Sequence, residues 1–122
     1  MKNNSNRICY VCGFDFDTEP ENERQEWPFI FCPCCGFEYG IDDLEFNCFT
    51  TWRQKWIENG LNFGYKLKPQ NYNWNINDVL KQLNNLKLVN VENYYWGKEM
   101  NPNYTIEVDI EEVKNKWEEF RN

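Results

Sequence analysis

Cys9-Tyr10-Val11-Cys12-Gly13-Phe14-Asp15-Phe16 and Cys32-Pro33-Cys34-Cys35-Gly36-Phe37-Glu38-Tyr39 decide the reading of this chain. The two stretches agree in cysteine spacing, in the glycine after the second cysteine, and in the aromatic, acid, aromatic order that follows. Two cysteines three positions apart close on one cation from a tight turn, and two such turns supply the four sulfurs of a closed tetrahedral site. A glycine after the second cysteine permits the unusual backbone angles of that turn and lets amide N–H groups approach the sulfurs. The aromatic residue beyond it covers the site. Residues 13–31, nineteen in number, separate the pairs as a loop. Cys9, Cys12, Cys32 and Cys35 are therefore the expected ligands of one structural Zn2+, with iron as the alternative, because spacing alone does not separate the two metals. Cys34 lies between two ligands and is expected to point away; a swap with Cys35 is the alternative. Cys48, beside Phe49, reads as a small buried hydrophobe with no basic sequence neighbour to activate it.

The composition narrows the function. There is no histidine, which removes the usual general base, the Cys-His and Ser-His nucleophile pairs and all His-containing metal sites. No enzyme is expected. Thirteen basic against twenty acidic residues give a formal charge of −7, and four thiolates around a divalent cation would add about −2. That field repels a phosphate backbone, so the expected partner is a protein with a basic surface and not nucleic acid. Arg53, Lys55, Lys66 and Lys68 make the middle of the chain locally less acidic. No run approaches the roughly 18 apolar residues of a membrane span, and residues 1–7 lead into the first cysteine pair without an apolar signal stretch. Six cysteines in that setting point to metal binding in the cytoplasm.

With 122 residues the chain is expected to form a single domain, 1–122, with a four-cysteine ribbon over 8–49 and a helical and hairpin elaboration over 50–122. The expected class is α+β: a zinc ribbon of short strands with packed helices, a C-terminal hairpin and a terminal helix. Trp27-Pro28-Phe29-Ile30-Phe31, after the acidic loop 17–26, reads as a strand entering the second cluster. One helix is expected from Thr50 or Thr51 to just before Gly60, burying Trp52, Trp56 and Ile57. A second runs from Asp78 to Leu86 behind Asn77, with Ile76, Val79, Leu80, Leu83 and Leu86 on one face. The last starts at Asp109, reciprocally capped with Glu112, and places Ile110, Val113, Trp117 and Phe120 together. Tyr104–Val108 alternates as a half-buried strand, with Val89 and Val91 in its partner and 97–103 as the turn. Asp42-Asp43 and Glu111-Glu112 read as solvated or turn-capping acids, because adjacent residues rarely converge on one substrate atom. Tyr94-Tyr95-Trp96, with Trp27 and Trp74, is a candidate interaction surface, since three consecutive rings cannot all face inward.

Two resemblances attach to these motifs. Over residues 9 to 36 the chain resembles a rubredoxin, through Cys9-x-x-Cys12-Gly13-Phe14 and Cys32-Pro33-x-Cys35-Gly36, with Tyr10 sharpening the likeness. That resemblance implies an iron site and electron transfer as the alternative function. The intervening loop is shorter than in stand-alone rubredoxins and lacks their Pro-Gly-Thr and Asp-Leu-Pro stretches. Over residues 9 to 86 the chain is similar to the cysteine-rich CPCC-type proteins, small bacterial proteins of unassigned activity. Phe31–Gly40 with Asp42-Asp43, then Trp52-Arg53 and Trp56-Ile57 before Gly60, then Lys68-Pro69, Asn71, Trp74 and Leu80–Leu86 carry that likeness. It implies a zinc ribbon with helical additions and no particular activity. The expectation for function is a non-enzymatic, zinc-stabilised acidic protein-binding module, in concrete form an immunity or inhibitor protein neutralising a basic bacterial toxin.

Overall fold

The computed structural model describes residues 7–18, 30–64 and 74–121. Trp27, Pro28, Phe29, Lys66, Lys68, Pro69, Asn71 and most of the acidic loop lie outside the described residues. Four α-helices organise the rest: α1 Cys48–Glu58, α2 Ile76–Asn84, α3 Gly97–Met100 and α4 Ile110–Arg121. Short 3-10 turns at Phe16–Thr18, Asp42–Leu44, Asn85–Leu88 and Val91–Asn93 join or extend them.

Over the described residues the expected ribbon of strands does not form. Among the described residues there is no sheet, and each cysteine turn closes on one isolated antiparallel bridge, Ile8 with Asp15 and Phe31 with Glu38. The hydrogen bonds of each bridge run straight into those that close its turn. Cys9 N donates to Phe14 O and Gly13 N to Cys9 O at 2.8 and 3.0 Å; Cys32 N donates to Phe37 O and Gly36 N to Cys32 O at 3.0 and 2.9 Å. Two residues past each bridge the chain has already turned away: the first stretch coils into Phe16–Thr18, the second into the turn before Asp42–Leu44.

The C-terminal hairpin is likewise absent. Residues 104–108 are extended without a ladder, Val91 begins a 3-10 turn, and the supposed hairpin turn contains α3. Side chains take the polar groups that a partner strand would have met: Thr105 O accepts from Arg53 Nη1 at 2.6 Å, and Glu107 N donates to Thr105 Oγ1 at 3.0 Å.

The helices follow the apolar pattern more closely than the predicted caps. α1 starts at Cys48, ahead of Thr50, with Asn47 left-handed at φ 56° and Asn47 N tied to Met100 O. It ends as expected at Gly60 (φ 104°), where Leu61 N reaches back to Trp56 O at 2.9 Å. α2 starts two residues earlier than read, because Asn75 and Asp78 cap each other reciprocally, at 3.1 Å in both directions. Val79, Leu83 and Leu86 are buried and Ile76 and Leu80 pack against the core, as the 3.6-residue period requires. In α4, Asp109 caps Glu112 N at 3.2 Å, but the Glu112 carboxylate accepts from Gln54 on α1. Only Val113 of its expected face is fully buried; Ile110 and Phe120 are exposed and Trp117 is half-buried.

The core is an aromatic cluster wrapped around the two cysteine turns. Tyr10, Phe37, Tyr39, Phe49 and Tyr94 pack ring against ring, with Tyr10 stacked on Phe49 at 5.2 Å and Phe37 edge-on to Tyr39 at 4.7 Å.

Candidate metal centre

Cys9, Cys12, Cys32 and Cys35 are brought together, each buried, with all four Sγ atoms within 4.8 Å of one another. Cys9 Sγ lies 3.8 Å from Cys35 Sγ, and Cys12 Sγ lies 3.6 Å from Cys32 Sγ. These are not disulfides; all six cysteines of the chain are free. A tetrahedron with metal–sulfur bonds of about 2.3 Å has sulfur–sulfur edges of about 3.8 Å. The cluster therefore has the dimensions and donor chemistry of a site for one tetrahedral, thiophilic cation.

The turns reach this geometry in the same way. Gly13 (φ 87°) and Gly36 (φ 82°) take the left-handed conformation that turns the chain back over its own first cysteine. Gly13 has a second reason to lack a side chain: a Cβ there would stand 2.1 Å from Gln82 O on α2. Phe14 and Phe37 are buried in the same apolar cluster as the four cysteines.

Residues far off in sequence hold the turns, and most of these were not apparent from the motif. Tyr39 is the second aromatic of the second repeat. Its hydroxyl accepts from Tyr10 N at 2.8 Å and sits 3.1 Å from Cys9 Sγ. Arg53, one of the basic residues that make the middle of the chain locally less acidic, is buried in α1. Its Nε donates to Val11 O at 2.6 Å and its Nη2 to Tyr10 O at 2.9 Å, while Nη1 holds Thr105 O. Tyr104 adds a bond from its hydroxyl to Tyr10 O at 2.7 Å. The second turn is held by Trp52 Nε1 on Cys35 O at 2.9 Å and by Gly64 N on Cys34 O at 3.1 Å. Gln82 of α2 donates to Cys12 O and Cys34 Sγ, both at 3.3 Å, and Asn85 donates to Gly13 O at 3.0 Å.

Electrostatics within the cluster are uneven. Burial pushes the Cys12, Cys32 and Cys35 thiols well above the ordinary thiol range. Burial acts on Cys9 in the same sense, yet the hydrogen bonds it receives from Cys12, Cys32, Cys35 and Tyr39 outweigh it and hold Cys9 well below that range. Tyr39 is raised by burial and by the neighbouring Cys9 charge, so its hydroxyl keeps the proton it offers to sulfur. Four thiolates this close in a low-dielectric interior repel one another strongly, and a divalent cation is the chemistry that lets all four ionise.

The other cysteines and acids take structural places. Cys34 is buried outside the four-sulfur cluster, and its thiol is raised by burial. Cys48 is buried with its Sγ on Asn101 Oδ1 at 3.6 Å, and burial pushes its thiol up to about 11. Asp42 accepts from Glu38 N at 2.9 Å and Asp43 from Gly40 N at 3.0 Å, so both cap the turn that leaves the second repeat. Glu111 is exposed. Of the aromatic run, Tyr94 is buried with its hydroxyl on Asp43 Oδ2, whereas Tyr95 and Trp96 are exposed; Trp74 is half-buried with Nε1 on Leu61 O. Among the described residues no helix is long and apolar enough to cross a membrane.

No family model matches the chain. No solved structure matches it either. The uncharacterized protein YozI of Bacillus subtilis (strain 168) is 30% identical over 111 residues, an alignment covering 70% of this chain and 88% of YozI. With that much of the relative's length spanned at that identity, the chain belongs to the same protein family as Bacillus subtilis YozI.

Proposed function

We propose that the protein is a non-enzymatic, zinc-stabilised binding module in which Cys9, Cys12, Cys32 and Cys35 ligate one Zn2+ and an acidic surface engages a basic protein. The observation that carries the zinc reading is the pair of sulfur–sulfur distances, 3.8 and 3.6 Å, in a buried all-thiol cluster. Bound there, a zinc ion supplies folding free energy and charge compensation, not a reactive position, because four sulfurs complete its tetrahedron. The Cys32-Pro33-Cys34-Cys35 motif supports membership of the CPCC-type proteins as part of this reading. Six free cysteines fit a reducing compartment such as the cytoplasm.

The formal charge of −7 supports the basic partner. Its small size, charge and aromatic richness suit an immunity or inhibitor protein that masks a basic bacterial toxin. Metal analysis with a visible spectrum on natively purified protein tests the zinc reading. One zinc per chain and no colour is the expected result. A red, iron-loaded protein that bleaches reversibly on reduction would replace it with the electron-transfer reading.

A further inference from the structure

Ile41, Leu44 and Phe46 fall within six residues and are 62%, 64% and 63% exposed, the three highest values among the large apolar side chains of the described residues. The turn that carries them is fastened from within. Ile41 N and Asp42 N both donate to Glu38 O, Asp42 takes Glu38 N, and the buried Asp43 takes Gly40 N and the Tyr94 hydroxyl. At its far end Asn47 N is held by Met100 O. Three apolar side chains are thus presented to solvent on a rigid frame, which ordinary surface scatter does not produce.

Between this turn and α1 lies a groove of about 440 Å3, walled by Ile41, Phe46 and Trp52. Asp42 and Glu45 stand on its lining against one cation, Lys55. Glu38, at the start of the turn, is exposed and adds a further carboxylate. Apolar walls rimmed by a net negative charge, on a chain of charge −7, select an occupant that is apolar and cationic at once.

We infer that the groove between residues 41–46 and α1 docks a segment of a protein partner in which Lys or Arg alternates with large apolar side chains. This rests on the acidic binding-module reading above and assigns it a surface. The apolar side chains of the partner segment fill the space beside Phe46, Ile41 and Trp52, and its cations meet Asp42, Glu45 and Glu38. An anionic lipid surface is disfavoured by the same carboxylates.

The test is calorimetric titration of the full-length, zinc-loaded protein with a synthetic amphipathic Leu/Lys peptide, and with versions carrying Glu for Lys or Ser for Leu. The Leu/Lys peptide is expected to bind, more weakly as salt rises, and the two altered peptides are expected not to. The double variant Ile41→Ser/Phe46→Ser is expected to lose about tenfold or more in affinity, and Glu45→Gln about two- to fivefold. Leu88→Ser, exposed on another segment, is expected to bind as wild type. Circular dichroism confirms that the variants fold. If the double variant binds the Leu/Lys peptide as tightly as wild type, the groove assignment is overturned while the acidic-module reading stands. If no basic peptide binds at low salt, both are overturned. Binding to anionic vesicles in preference to the peptide overturns the partner class.

Discussion

The Tyr39 hydroxyl lies 3.1 Å from Cys9 Sγ and 2.8 Å from Tyr10 N, so one side chain of the second cysteine repeat fastens both a sulfur and a backbone amide of the first. The repeats are joined across the cluster by a hydrogen-bonded ring as well as by the cation they would share. Tyr39→Phe keeps the ring packing and removes both bonds. Its expected cost is about 1–3 kcal/mol, since Tyr10 N is left buried without that partner. Metal affinity is expected to fall about 10- to 100-fold. Urea unfolding and chelator competition measure the two; a variant indistinguishable from wild type in both would deny the hydroxyl this role.

Arg53 is the second fastening. It spans three carbonyls, two on the first cysteine turn and one on the extended 104–108 segment. Arg53→Met preserves much of the stem and removes the fork, leaving Val11 O without its guanidinium donor. A loss of about 3 kcal/mol is expected, and Arg53→Lys should recover less than half, because an ammonium cannot reproduce the planar geometry. Thermal unfolding of the three proteins decides; full rescue by lysine would show that charge alone matters.

Two glycines with similar backbone angles should differ sharply in tolerance. A Cβ at Gly13 meets the backbone carbonyl of Gln82 at 2.1 Å, whereas one at Gly60 meets the Phe120 ring at 2.8 Å. The half-exposed ring can turn about its side-chain bonds, leaving Phe120 Cβ at 3.2 Å to yield by a few tenths of an ångström; the α2 carbonyl has no such freedom. Gly60→Ala is expected to cost about 1–2 kcal/mol from its left-handed backbone. Gly13→Ala should cost at least twice that and lower metal affinity. Equal costs would mean that α2 is free to move away from the first turn.

Alkaline stability carries a signature of Cys48. Burial raises its thiol to about 11, so the folded state holds the proton more tightly than the unfolded chain. The resulting stability is complete below the ordinary thiol value of about 8.5 and is lost as pH rises towards 11. Tyr10, pushed up to about 12 by burial, acts in the same direction at higher pH. Cys48→Ala is therefore expected to flatten the decline between pH 8.5 and 11 by about 1 kcal/mol after solvent screening. Stability of both proteins measured across that range checks the sign; a steeper decline in the variant would contradict it.

Metal removal should be felt through the rings. Tyr10, Tyr39 and Phe37 pack directly about the cysteine turns, so stripping the metal with a strong chelator is expected to abolish near-ultraviolet dichroism cooperatively. Acidification should do the same, because the ligands must stay deprotonated to hold the ion. Retention of the near-ultraviolet signal with the metal gone would make the aromatic cluster, not the cation, the source of order.

The sequence by itself determined the elements that are local in origin. Spacing and a following glycine are enough to write both cysteine turns, because each turn closes its own hydrogen bonds within six residues. The apolar period of Val79, Leu83 and Leu86 and the glycine at 60 likewise belong to single segments. Only the tertiary structure decided where unpaired backbone goes. Alternation in Tyr104–Val108 reads as strand, but pairing requires free partners at long range. Here Arg53 takes Thr105 O and Val91 begins a 3-10 turn, so the 104–108 segment meets no partner strand. Arg53 is the sharpest case: its identity suggests solvent, and nothing short of the folded chain places three carbonyls around its guanidinium.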